Sequence, residues 1–183
     1  ATLKLDIVIQ SIYLYMQCIK QTYTLTIEKV SFFKEEGPTI VDGSNIFLMG
    51  RERLINGTVD VYEDLDPEHF TTHIGLYSDT SGNGEFRPFL YNVSTLDPCT
   101  TLKEYGSYAK PSLQPGTNTN FPIDGDVCPI PKDTYYFRDI EVQTDNLPSQ
   151  VPRGFLKGVL TIFKDNQTIC VFELLARVED KYL

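Results

Sequence analysis

No tryptophan occurs in this chain of 183 residues, and histidine appears only twice, at His69 and His73. The four cysteines, Cys18, Cys99, Cys128 and Cys170, form no C-x-x-C pair. A zinc centre would have to be assembled from widely separated ligands, so no metal and no other cofactor is expected. No serine or cysteine stands in a G-x-S-x-G elbow, and no catalytic set is legible. No run of eighteen apolar residues occurs, so no membrane-spanning helix is expected. Basic residues are also scarce: 16 Lys and Arg face 25 Asp and Glu, a net charge of −9. Phosphate backbones repel such a chain, which excludes a nucleic-acid partner and limits contact with anionic membranes to transient encounters.

What the chain has is apolar, aromatic and alternating. Tyr and Phe each occur 11 times, and the length is that of one domain with room for a core or a modest cavity. Cys170, Phe172, Leu174, Ala176 and Val178 recur at every second position, the pattern of a half-buried strand. Leu156, Leu160 and Ile162 do the same upstream, and the polar stretch KDNQT between the two runs predicts an antiparallel hairpin. Tyr23, Leu25 and Ile27 alternate with threonines. Ile55, Val59 and Val61 alternate with Asn56, Thr58 and Asp60, which places Asn56 on the solvent face. Phe70, Thr72, Ile74 and Leu76 follow, and Pro88 marks an edge strand. Only CTTLKEYGSYA, capped by Gly106, asks for a helix. The reading is mainly β: an antiparallel cup or sandwich of seven to nine strands with one short helix.

Three local constellations invite chemistry and are read more plainly. Asp79, Ser81, Asn83 and Gly84 open like a calcium loop, but Leu90 stands where the bidentate Glu belongs. His69 and His73 lack a nucleophile and read as surface residues, and the carboxylates of Glu63 to Asp66 read as a solvated turn.

Cys128 begins CPIPKDTYYFRDIEV, where two prolines hold the backbone away from helix and stiffen the approach to a strand. A loop rich in Pro, Gly and Asn separates it from Cys99, and a Cys99–Cys128 bridge is the natural pin. Closing about thirty residues contributes roughly 3–4 kcal/mol. Disulfide use, with sequons at Asn56, Asn92 and Asn166, points to a secreted, extracellular protein. Residues 1–20 read as a degenerate or partial signal segment, and 21–183 as the single domain.

The segments GTVDVYEDLD, SDTSGNGEF, CPIPKDTYYFRDIEV and VPRGFLKGVLTIF resemble, in order and spacing, the insect chemosensory B (CheB) family. That family is in turn similar to the GM2 ganglioside activator, a lipid-transfer protein. The resemblance implies a secreted, non-enzymatic β-cup that binds a hydrophobic ligand, either a lipid or a cuticular-hydrocarbon-like pheromone. It also implies the Cys99–Cys128 pair and a second pair, Cys18–Cys170. The expected lining is Leu25, Ile27, Val59, Val61, Ile74, Leu76, Leu160, Ile162, Phe172 and Leu174. Leu147, Pro148, Ser149 and Gln150 align with the activator's rim loop, with Gln150 in place of its membrane-probing Trp. Two alternatives accompany this reading: an accessory subunit of a membrane receptor or channel complex, and a lipid-presenting activator of a hydrolase.

Overall fold

A computed structural model describes residues 22–89 and 94–181. Among these residues, eight strands and one helix follow in chain order: β1 (Tyr23–Lys34), β2 (Val41–Met49), β3 (Leu54–Val61), β4 (Phe70–Asp79), β5 (Arg87–Pro88), α1 (Pro98–Ala109), β6 (Asp133–Ile140), β7 (Gly154–Lys164) and β8 (Gln167–Asp180). They form two antiparallel sheets, β1-β8-β7-β4-β5 and β2-β3-β6. The mainly β expectation is met, and Pro88 does lie in the edge strand.

The β7–β8 hairpin is tighter than the five-residue polar stretch suggests. Only Asp165 and Asn166 lie between the strands, both with positive φ (48° and 65°). Such a two-residue turn matches the right-handed twist of its strands. β1 departs from simple alternation: its register with β8 slips between Ile27 and Lys29, so the inward series runs Tyr23, Leu25, Ile27 and then Val30, Phe32. The carbonyls exposed at this bulge are taken by Arg53, at the tip of the β2–β3 hairpin. Its Nε donates to the Ile27 oxygen at 2.7 Å and Nη2 donates to the Glu28 oxygen. Glu28 in turn holds Arg177 at 2.8 Å.

Helix α1 begins at Asp97, whose carboxylate accepts from the Thr100 N–H at 2.9 Å, with Pro98 in the first turn. Burial alone would raise the Asp97 carboxyl pKa, but the Thr100 hydroxyl and the Thr100 and Cys99 amides outweigh it and the net direction is down. Asp97→Ala is expected to lower stability by about 1 kcal/mol, measured by urea denaturation. Gly106, expected to cap the helix, lies inside it, and Lys110 is the C-cap. Gly106 is required for another reason: a Cβ there would stand 2.4 Å from the Ile123 carbonyl oxygen. The loop after the helix thus packs directly on the helix backbone. Further along, the Asn118 oxygen accepts from Arg138 N and the Asn120 side-chain oxygen from Tyr136 N, covering the free edge of β6.

Asn56 is a correction. It is buried, with 9% of its surface exposed, and its side-chain oxygen accepts from the Asp139 amide at 3.0 Å. The β3–β6 register slips between Ile55 and Gly57, leaving the Asp139 N–H outside the ladder, and the Asn56 carboxamide fills the gap. A glycan acceptor on the solvent face is therefore not what this residue provides. Asn166 is exposed in its turn, and Asn92 lies outside the described residues.

Candidate apolar binding site

Cross-strand register assigns side chains to faces, because directly opposed residues point the same way. On the inner face of the five-stranded sheet this gives a series of rows: Leu25–Val178–Gly154, Ile27–Ala176–Leu156–Ser78, Val30–Leu174–Gly158–Leu76, Phe32–Phe172–Leu160–Ile74 and Cys170–Ile162–Thr72. Eight of the ten expected lining residues, all but Val59 and Val61, lie on this one face. Val59 and Val61 lie on β3, in the facing sheet, and pack in the same cluster.

Not all ten line an open surface. Ile27, Val61 and Ile162 are 4–6% exposed and belong to closed packing. Two buried clusters close off parts of the face, and Val61 and Ile162 belong to the larger. The larger joins both sheets through Val41, Val61, Leu65, Phe70, Ile130, Tyr135, Ile162 and Cys170, with Val59, Leu160 and Phe172 against it. The smaller gathers Tyr23, Val151 and Val178 at the opposite end of β1 and β8, with Leu25 and Leu156 against it. Ile27, Ile74, Leu76 and Leu174 belong to neither, Ile27 being buried outside both.

Between the clusters the sheet stays half-open. β7 and β8 are interior strands, yet Leu156, Leu160, Phe172 and Leu174 are all only half-buried. In a closed sandwich the inner face of interior strands is interdigitated with the opposing sheet. Gly158 sits in the middle of the floor, between Leu174 and Leu76. A Cβ placed on it would meet only Leu76 Cδ2, at 3.7 Å, which is ordinary contact. Gly43 shows what the closed end is like: a Cβ there would stand 2.2 Å from Phe172 Cε1 and 2.9 Å from Phe32 Cδ2. The floor is thus stopped at one end by the Phe32–Phe172 pair, whose ring centroids are 4.9 Å apart. Val30 and Gly158 were not among the expected lining residues. The bulge hides the first from any period-two reading, and the second has no side chain to register.

The row itself, Val30, Leu174, Gly158 and Leu76, carries no ionisable side chain, and Ser78 is the polar residue of the neighbouring row. Such a surface can bury an apolar group. The Leu147–Gln150 segment lies near the smaller cluster. The Pro148 carbonyl accepts from the buried Tyr23 hydroxyl at 2.9 Å, while Pro148, Ser149 and Gln150 are exposed and Leu147 is half-buried.

The other constellations resolve into structure. Asp79 is 3% exposed, and its two oxygens accept from Ser81 N, Ser81 Oγ, Gly82 N and Gly84 N at 2.7–3.1 Å. Burial alone would raise its carboxyl pKa, but the Gly84 and Gly82 amides and Ser81 overcome this and hold it below the usual range. A carboxylate so engaged organises a turn. His69 is exposed and its Nδ1 lies 3.0 Å from Asp66 Oδ1, whereas His73 is on the outer face of β4 opposite Thr161. Hydrogen bonding to Asp66 raises the His69 pKa. Asp66, Glu68 and His69 bring ligand atoms within 4.8 Å of one another, all on the surface.

Cys99 and Cys128 form the expected disulfide, with Cα atoms 5.7 Å apart. The Cys128–Pro129 peptide is cis. Cys170 is instead a buried free thiol, and Cys18 lies outside the described residues. Cys170 pairs with Lys34, at the far end of β1 from Tyr23. Burial pushes the Cys170 thiol pKa up to about 12. The unfolded thiol ionises near 9. Its contribution to stability is therefore complete below that pH and is lost as pH climbs toward about 12. In a Cys18→Ala background, iodoacetamide is expected to label Cys170 only under unfolding conditions, which peptide mapping would read.

A search of curated proteins finds no match. Residues 72–157, from β4 through α1, the disulfide and β6 into the first part of β7, match a protein family described as Protein of unknown function (DUF1091).

Proposed function

We propose that this protein is a non-enzymatic carrier that buries a hydrophobic small molecule or lipid chain against the half-open inner face of the five-stranded sheet. One observation carries the reading: the Val30–Leu174–Gly158–Leu76 row is apolar and half-buried, and its floor has a gap at Gly158. Each methylene removed from water contributes about 0.8 kcal/mol before the costs of association. An alkyl chain can thus be held without a hydrogen bond. The resemblance to the chemosensory B proteins supports a secreted carrier of a lipid or hydrocarbon-like signal, as do the Cys99–Cys128 bridge and the exposed Asn166 sequon.

A second reading is an accessory subunit of a chemosensory receptor or channel complex. It is favoured by Phe47 and Met49 on the edge strand β2, each 48% exposed. Native mass spectrometry of the protein secreted from insect cells separates the two. A bound species that leaves on denaturation and extracts as an alkyl compound is the expected result. A mass of protein alone, with no uptake of hydrocarbon or lipid on incubation, would overturn the carrier reading in favour of the subunit.

A further inference from the structure

A second concavity lies away from the apolar row, where three turns meet. Its walls come from Glu35 to Ile40 after β1, Tyr62 and Glu63 after β3, and Lys164 to Ile169 around the β7–β8 turn, and they outline an open concavity of about 500 Å³. That volume falls within the range of ~300–1,000 Å³ usual for small-molecule sites.

The floor is apolar. Ile40 and Ile169 rest on the main core cluster, and Pro38 lies beside them. The walls are acidic, with Glu35, Glu36, Glu63 and Asp165 against a single ammonium, Lys164. That ammonium is already committed, to the Glu63 carboxylate at 2.5 Å and to the Phe70 ring at 5.3 Å from its centroid. Lys34, the cation next to Glu35 in the chain, donates to the Gly37 carbonyl. Glu35 and Glu36 make no ion pair among the described residues. Tyr62 is 56% exposed and its ring makes no contact with another ring or with a cation among them. An unclaimed aromatic face beside uncompensated carboxylates, over an apolar floor, is the combination that recognises a cation on a hydrocarbon stem.

We propose that this pocket binds an organic ammonium carried on a short apolar stem, with Glu35 and Glu36 meeting the charge, Tyr62 stacking on it, and Ile40 and Ile169 seating the stem. The site is separate from the carrier row and does not depend on it.

The test is calorimetric titration of the full chain with hexylamine, charged at pH 7, and with its neutral counterpart 1-hexanol. Hexylamine is expected to bind one site, more weakly at higher salt, and 1-hexanol not to compete for it. The double substitution Glu35→Gln, Glu36→Gln should weaken hexylamine at least tenfold, and Tyr62→Ala should weaken it severalfold. All three positions are exposed, and thermal melting would verify that the variants are folded. Gly158→Phe, in the other site, should leave hexylamine binding unchanged. Displacement of hexylamine by the alcohol, indifference to the Gln pair, sensitivity to Gly158→Phe, or no binding up to millimolar hexylamine would each overturn the proposal.

Discussion

Gly158→Phe is expected to abolish uptake of apolar ligands while leaving the protein folded. The backbone at Gly158 is not in the left-handed region, and a Cβ there meets nothing closer than 3.7 Å, so the first added carbon brings no strain. Its ring would lie in the row between Leu174 and Leu76, on the floor an alkyl chain would otherwise cover. Displacing about four methylenes removes about 3 kcal/mol, more than a hundredfold in affinity. The added apolar surface covers half-exposed leucines, so the melting temperature should hold or rise. Displacement of a fluorescent fatty-acid analogue, followed beside thermal melting, reads both effects. Gly158→Ala should give an intermediate loss. A folded phenylalanine variant that still takes up the probe with unchanged affinity would show that no ligand lies over this row.

Gly57→Ala is expected to produce the largest loss of stability from a single methyl group. Gly57 has φ +120°, where an L residue is strained, and a Cβ there would stand 1.8 Å from the Asn45 carbonyl oxygen. That oxygen belongs to β2, paired with β3 on either side, so relief requires moving one strand against the other. Backbone strain and overpacking each cost about 1–3 kcal/mol, and together about 3 kcal/mol or more. For a chain of this size that corresponds to a fall of roughly 6–12 °C in melting temperature. A measured loss below about 1 kcal/mol would mean that the β2–β3 crossing is looser than its geometry implies.

Gly57 also shows where sequence reading stops. Asn56-Gly57-Thr58 has the form of a glycan acceptor, and local alternation puts Asn56 outward. What reverses it is a register slip in β6, more than eighty residues away in sequence, which leaves an amide for Asn56 to satisfy. The long strands were legible because their inward residues recur without interruption: the series from Cys170 to Val178 lies on one face as its spacing implies. β1 was legible only as far as Ile27, because one bulged residue inverts the parity of the strand beyond it. The Cys99–Cys128 bridge could be read from the loop it closes. The buried free thiol of Cys170 could not be, since its burial depends on how the two sheets pack around it. At the candidate site the leucines announced themselves by period. Gly158, which makes the room, carried a different signal: a glycine inside an apolar strand with no turn residues around it.

Arg53 sets a limit on how this chain can vary in length. The β2–β3 tip is a surface turn of the kind where added residues are usually harmless. Here its last residue before β3 delivers a guanidinium to two carbonyls at the β1 bulge, so the turn acts as a strut of fixed reach. One extra residue would carry that group off its seat by roughly 3.3 Å, the rise of a strand residue. The spacing between the sheets, and with it the width available above the apolar row, is thus tied to the residue count of a four-residue turn, Gly50 to Arg53. Fusions and insertions placed there would alter the proposed carrier site itself.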